Sequence, residues 1–166
     1  VLTAVSILVT DIHGNSTECS FDVLVADDEI PVINCNMDLT QSSDAGVCSA
    51  NVLVVTPIVS DNCGVLSVLN SYNGTSDASG IYPVGSTTVV WTVTDVYGNT
   101  NTCPQMITIT DDEDPQLVCA HGQSQIADAG QCNADVEIQG PVTSDNCGLE
   151  DLINSYNGTA DASDNY

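Results

Sequence analysis

The segment TTVVWTVTD at residues 87–95 alternates apolar and small polar side chains. A period of two places Val89, Trp91 and Val93 on one face, the pattern of a half-buried strand. YGN at 97–99 then reads as a turn, and Met106, Ile107 and Ile109 lie on the strand after it. Upstream, Val32, Ile33 and Cys35 begin a strand, Val52 and Val54 with Val47 mark another, and Val65, Val68 and Leu69 a third. SDAG, SDNCG, YNGTSDASG and YPVG punctuate these runs as turns, and no stretch carries a helical period. Trp91, on an apolar strand face, reads as core rather than as a sugar-stacking platform.

The 166 residues are 42% apolar, enough for real cores, and Val, Thr, Ile and Ser suit pleated strands. There is no Lys or Arg against 23 Asp plus Glu, a net charge of −23. Such a surface forms no ordinary salt bridges, and its self-repulsion strengthens as ionic strength falls. Nucleic acid is excluded as a direct partner, because nothing neutralises its phosphates. An anionic membrane surface is excluded for the same reason. Eight cysteines, with no C-x-x-C pair and 13 to 40 residues between neighbours, favour disulfides in an oxidising, extracellular setting over metal thiolates. No apolar run approaches the roughly 18 to 20 residues of a membrane span. Val1 begins inside a strand-like segment, so the expectation is a mature or excised region rather than one with a leader.

Self-comparison shows the organisation. Cys19, Cys35, Cys48 and Cys63 recur at Cys103, Cys119, Cys132 and Cys147, each shifted by 84 residues. NSYNGT at 70–75 returns at 154–159, SDNCG at 60–64 returns at 144–148, and DAG-x-C at 44–48 returns at 128–132. Residues 27–82 and 111–166 share 28 identities in 56 positions, and TD-x-x-GN of 94–99 has its counterpart in 10–15. The acidic linkers DDEIP (27–31) and DDEDP (111–115) set the boundaries. Residues 27–110 are then one complete domain, 1–26 the last strands of a preceding repeat, and 111–166 the first two-thirds of a following one. Six or seven short strands in 84 residues predict tandem all-β, immunoglobulin-like sandwiches stapled by disulfides.

These landmarks resemble the hyalin repeat (HYR) family over the whole chain. The resemblance rests on the D-x-E-x-P entries followed by Cys35 and Cys119, on DAG-x-C and SDNCG, on PVGSTTVVWTVTD at 83–95, and on GN-x-x-x-C at 98–103. The chain departs from it in lacking Lys and Arg, and in carrying His13 and Tyr97 where small turn residues are usual. The family implies an immunoglobulin-like fold, extracellular placement and an adhesive or matrix role without catalysis. Many members carry only the outer two cysteines, which implies that Cys35 pairs with Cys103. Cys48 would then pair with Cys63, and Cys132 with Cys147. Cys119 would be left for Cys19 of the next copy, because 1–26 has the strands that 111–166 lacks. Copies placed head to tail regenerate whole domains, as a continuous polypeptide or as separate subunits that donate strands.

The linkers hold the candidate metal ligands. Asp27, Asp28 and Glu29, or Asp111, Asp112, Glu113 and Asp114, would lie near Asp61, Asp95 or Asp145, an oxygen-rich set suited to Ca²⁺. The plainer reading is a solvated acidic surface. Asn15, Asn73 and Asn157 head N-x-[ST] sequons in turn-like segments, candidate glycan sites or chance matches. His13 and His121 have no counterparts one repeat away, and no catalytic motif occurs, so no catalytic residue is assigned. Three functions are thus distinguished: a self-assembling structural fibre, a carbohydrate- or matrix-binding module, which requires an exposed aromatic patch, and an enzyme, which requires a site the sequence does not show.

Overall fold

The computed structural model describes Leu2–Tyr166, apart from the side chain of Asn165. It is all-β, with no helix among the described residues. The strands are β1 (Leu2–Thr10), β2 (Ser16–Leu24), β3 (Val32–Asn34), β4 (Leu39–Ser42), β5 (Ser49–Val52), β6 (Ile58–Ser60) and β7 (Val65–Asn70). They continue as β8 (Gly80–Pro83), β9 (Gly85–Asp95), β10 (Thr100–Thr110), β11 (Gln116–Val118), β12 (Asp135–Val136), β13 (Val142–Ser144) and β14 (Asp164–Asn165). One sheet has the order β4-β10-β9-β7; β1-β2, β3-β6, β5-β8, β11-β13 and β12-β14 are two-stranded.

Eight strands fall between residues 27 and 110, more than expected. The expected strand exists as β5, but Val54 lies beyond its end and Val47 lies in the turn before it, because Gly46 takes a φ of 74°, a left-handed conformation open to glycine, and the Val47 N–H donates to Asp44 O.

The chain divides into two compact units. The first contains residues up to Met37, Val54–Ala78 and Thr88–Gln105. Its core is built by the alternation of β9 and β10: Val89, Trp91, Val93 and Cys103 have no solvent exposure. Gln105 is buried beside them, accepting from Trp91 Nε1 at 3.2 Å and donating to Met37 O at 2.9 Å, so the indole N–H and the amide are both satisfied. Cys35 and Cys103 form a disulfide across 68 residues of chain. In β7 the register shifts between Val65 and Ser67, a bulge after which Leu69 is exposed and Asn70 buried.

The second unit contains Asp38–Leu53, Ser79–Thr87 and Met106–Tyr166. Ile107 and Ile109 of β10 are buried there with Ala50, Val52 and Tyr82, whereas Met106 alternates outward. β4 pairs parallel with Ile107 to Thr110 only, so Pro104 sits where that edge of β10 is open and no N–H is required.

Local structure repeats with the sequence. β11-β13 reproduces β3-β6 in register: Gln116 faces Ser144 as Val32 faces Ser60. Asp135 faces Asn165 as Asn51 faces Ile81. The Asn154-to-Thr159 loop repeats the bonds of the Asn70-to-Thr75 loop, each Asn side chain capping the turn it starts. Two counterparts are absent. Residues 123–126 and 149–154, the equivalents of β4 and β7, form no strand. Their templates pair with β10 and β9, and the equivalents of those strands lie in no part of 111–166.

Candidate cation site and repeat junction

Three turns deliver one carboxylate each to a common point. Asp27 opens the linker, Asp61 lies in SDNCG, and Asp95 ends β9. The chain needs a short polar acceptor at each place. The Asp61 carboxylate accepts from Cys63 N and Gly64 N, and Asp95 accepts from Tyr97 N, Asn99 N and Asn99 Nδ2, all between 2.7 and 2.9 Å. Asn99 Nδ2 also donates to Asp27 O at 3.2 Å, tying the linker to the turn. One oxygen from each of Asp27, Asp61 and Asp95 lies within 4.8 Å of the others. Asp27 Oδ2 and Asp61 Oδ2 are buried without a hydrogen-bond partner.

Paired unit charges about 4 Å apart repel by roughly 1 kcal/mol in water and about 4 at an effective dielectric of 20. The chain has no Lys or Arg to offset this. Burial raises the pKa of Asp95, but the hydrogen bonds from Asn99, Tyr97 and Gly98 outweigh it, and the net direction is down. Asp95 is therefore held ionised, and the cluster's chemistry suits a hard divalent cation with water completing its shell. The Cys63 thiol lies against this cluster: the Asp27 carboxylate beside it, then burial and the charges of Asp61 and Asp95, push its pKa up.

A depressed carboxylate pKa contributes stability above the unfolded value of 3.8 and loses it as pH falls through the folded value. Chemical denaturation of the wild type and of Asp95→Asn from pH of about 6 to about 2 is expected to show the wild type losing its advantage below about pH 4. Parallel curves would remove this role.

Of the other expected ligands, Asp28 and Glu29 are exposed and lie outside the trio. The second linker does something the sequence did not announce. Asp112 accepts from Ser42 Oγ at 2.7 Å, Glu113 from Gly46 N at 2.8 Å, and Asp111 from Asn146 Nδ2 at 3.1 Å. Asp145 accepts from Cys147 N at 2.8 Å, as Asp61 does from Cys63, and Asp114 is exposed. These carboxylates anchor the linker and the 144–148 turn to the 42–48 turn of the preceding repeat.

That docking corrects the inner cysteine pairing. Cys48 is bonded to Cys147, 99 residues away, and not to Cys63; Cys132 is correspondingly not bonded to Cys147. The reason is the junction itself: Asn146 Nδ2 reaches Val47 O at 3.3 Å, which brings its neighbour Cys147 onto Cys48. Among the described residues Cys19, Cys63, Cys119 and Cys132 are exposed thiols.

The three sequon asparagines lie in exposed turns. Asn73 Nδ2 donates to Asp77 O and Asn157 Nδ2 to Asp161 O, both at 2.8 Å, while Asn15 Nδ2 donates to Asp11 at 2.8 Å. Asp11 and Asn15 repeat the Asp95 and Asn99 turn bond for bond, and Asn15 likewise lowers the Asp11 pKa.

One further feature is legible only through the 84-residue shift. On the β1-β2 hairpin Ile7, Val9, Phe21 and Val23 share a face, because Ile7 lies across from Cys19 and Val5 across from Phe21. They are 40–63% exposed, whereas their counterparts Trp91, Val93, Gln105 and Ile107 are at most 4% exposed. Within 111–166, open cavities of about 650 and 690 Å³ are lined by Val136, Ile138, Leu152, Ile153 and Tyr166 among others. The counterparts of Val136 and Tyr166, namely Val52 and Tyr82, are core.

The HYR domain family model matches residues 26–109. Over 166 residues the chain is 28% identical to hyalin of Strongylocentrotus purpuratus, a match covering 96% of this chain and 14% of hyalin, so it spans about one-seventh of that relative's length. On the family match, which takes in half of its length, this chain belongs to the HYR domain family.

Proposed function

We infer that the chain is a stretch of an extracellular, structural and adhesive fibre of head-to-tail HYR repeats, each an immunoglobulin-like sandwich. In it, the hairpin equivalent to β1-β2 closes the sandwich begun by residues equivalent to 111–166. The observation that carries this reading is the match between an exposed apolar hairpin face and the two absent strand equivalents. β4 and β7 exist in the complete repeat because β10 and β9 pair with them; residues 123–126 and 149–154 await the same partners. The family match to 26–109 supports taking 27–110 as one whole domain. The kinship to hyalin and the two disulfides support an extracellular setting.

Ile7, Val9, Phe21 and Val23 are already about half covered, so completing their burial gives roughly half of about 1.5–3 kcal/mol each, or about 3–6 kcal/mol in total. Bringing two molecules together costs on the order of 4–15 kcal/mol, so strand addition alone is marginal and a covalent tie decides it. That tie is a peptide bond if the repeats are continuous, or a bridge from Cys119 to Cys19 of the next copy if they are not. Ile7→Asp puts a charge where the counterpart Trp91 is fully buried. Electron microscopy and sedimentation should show end-to-end oligomers for the wild type, and a loss of at least tenfold in association for the variant. A wild-type chain that stays monomeric at high concentration under oxidising conditions that let Cys119 and Cys19 bond, or an Ile7→Asp chain that assembles normally, contradicts the reading.

A carbohydrate-binding module is disfavoured by a specific comparison. The stacked, exposed Tyr156 and Tyr166 rings, 4.8 Å apart, resemble a sugar platform. Tyr82, the counterpart of Tyr166, is wholly buried, so Tyr166 reads as core awaiting closure, while Tyr72, the counterpart of Tyr156, stays exposed in the complete repeat.

Within the fibre, the Asp27, Asp61 and Asp95 trio is proposed to take Ca²⁺ and relieve the repulsion of a chain without cations. Closure would build a second trio from Asp111, Asp145 and Asp11 of the adjoining copy. Terbium luminescence sensitised by Tyr97 should saturate, be displaced by Ca²⁺, and weaken at least tenfold in Asp61→Asn. Ca²⁺ at a hundred times its Kd should add about 2.7 kcal/mol of stability. An unchanged melting temperature with Ca²⁺ and with chelator would remove calcium from the account. Asn15, Asn73 and Asn157 are the positions where glycans would project from such a fibre.

A further inference from the structure

We propose that the repeats are joined by a ladder of disulfides crossing each junction, in which Cys132 of one copy bonds Cys63 of the next. This rests on the head-to-tail reading but goes beyond it, since strand closure requires only the outer cysteines. The template is the Cys48–Cys147 bridge, which links the inner cysteine of one repeat to the second inner cysteine of the following repeat. Shifting it by 84 residues in either direction leads from Cys132 or Cys63 into a neighbouring repeat. Those two are the inner cysteines found as exposed thiols.

Both halves of the missing junction are already shaped. In the template, Val47 N donates to Asp44 O and Asp44 N to Ser49 O; at the open turn, Gln131 N donates to Asp128 O and Asp128 N to Asn133 O. On the other side, Glu113 N donates to Asp111 and Cys147 N to Asp145, and the first linker repeats this with Glu29 N on Asp27 and Cys63 N on Asp61. The Cys132 turn and the Cys63 turn are therefore copies of the two surfaces that meet around Cys48 and Cys147. A second copy of the chain presents each with its complement.

The oxidant is a small-molecule disulfide such as oxidised glutathione. The thiolate of one cysteine attacks a glutathione sulfur and expels a glutathione thiolate, leaving a mixed disulfide. The second cysteine's thiolate attacks the protein sulfur of that bond, forms Cys132–Cys63 and expels the second glutathione thiolate. Two thiol protons are released, and the two electrons reside on two reduced glutathiones.

The test oxidises the full chain with glutathione disulfide, using equal parts ¹⁵N-labelled and unlabelled protein. The oligomers are then mapped by mass spectrometry after cleavage at acidic residues, since the absence of Lys and Arg leaves trypsin no site. Expected are Cys48–Cys147 peptides within one chain and mixed-label Cys132–Cys63 peptides in every oligomer. In a Cys19→Ser/Cys119→Ser background the covalent ladder should persist, and adding Cys63→Ser should abolish it. Cys48–Cys63 and Cys132–Cys147 peptides would overturn the proposal. Association without any Cys132–Cys63 peptide would overturn the ladder alone, and absence of association at all would remove the head-to-tail reading with it.

Discussion

Replacing Trp91 with alanine is expected to destabilise the complete repeat by about 3–5 kcal/mol, the range for emptying a buried tryptophan site. The side chain has no solvent exposure and sits between Val89 and Val93 on the face that makes the core of its unit. Its loss also takes the indole donor from Gln105 Oε1, leaving a buried acceptor unpaired. Domains hold roughly 0.05–0.15 kcal/mol per residue, so an 84-residue repeat carries on the order of 4–13 kcal/mol and this substitution removes much of it. Trp91 is the only tryptophan, so unfolding must be followed by circular dichroism. A loss below about 1 kcal/mol would mean that β9 is not the centre of the core.

The second large effect belongs to the Cys35–Cys103 bridge. It closes a loop with a sequence separation of 68, for which restriction of the unfolded chain gives about 4 kcal/mol. Cys35→Ser/Cys103→Ser should therefore lower the midpoint of denaturant unfolding by an amount comparable to Trp91→Ala. Below about 100 residues a core buries a modest share of its surface, and here the carboxylates add repulsion, so the double variant should be most fragile at low ionic strength. Equal stability of variant and wild type in low salt would show that the core, not the staple, sustains the fold.

Strand periodicity made β9 and β10 readable: Val89, Trp91, Val93, Ile107 and Ile109 are buried, and only Met106 points the other way. Local alternation could not place Val47, because a left-handed glycine one residue earlier turns the chain. The carboxylate trio was legible as three turn positions, yet composition alone could not separate Asp27 from Asp28 and Glu29. That choice depends on which way a linker side chain points. The inner disulfide was not legible at all. The family resemblance pairs Cys35 with Cys103 and so leaves Cys48 for Cys63, whereas the observed partner is set by Asn146 and Glu113 docking on the 42–48 turn, a tertiary event with no local signature.

The central claim is that residues equivalent to 123–126 and 149–154 become strands when a neighbouring hairpin closes the sandwich. Amide hydrogen exchange of the full chain, compared at low and at assembling concentrations, reads this directly. Slow exchange in both segments and in β1-β2, appearing together and only on assembly, is the predicted result. Assembly that leaves 123–126 and 149–154 exchanging as fast as in the monomer would contradict it.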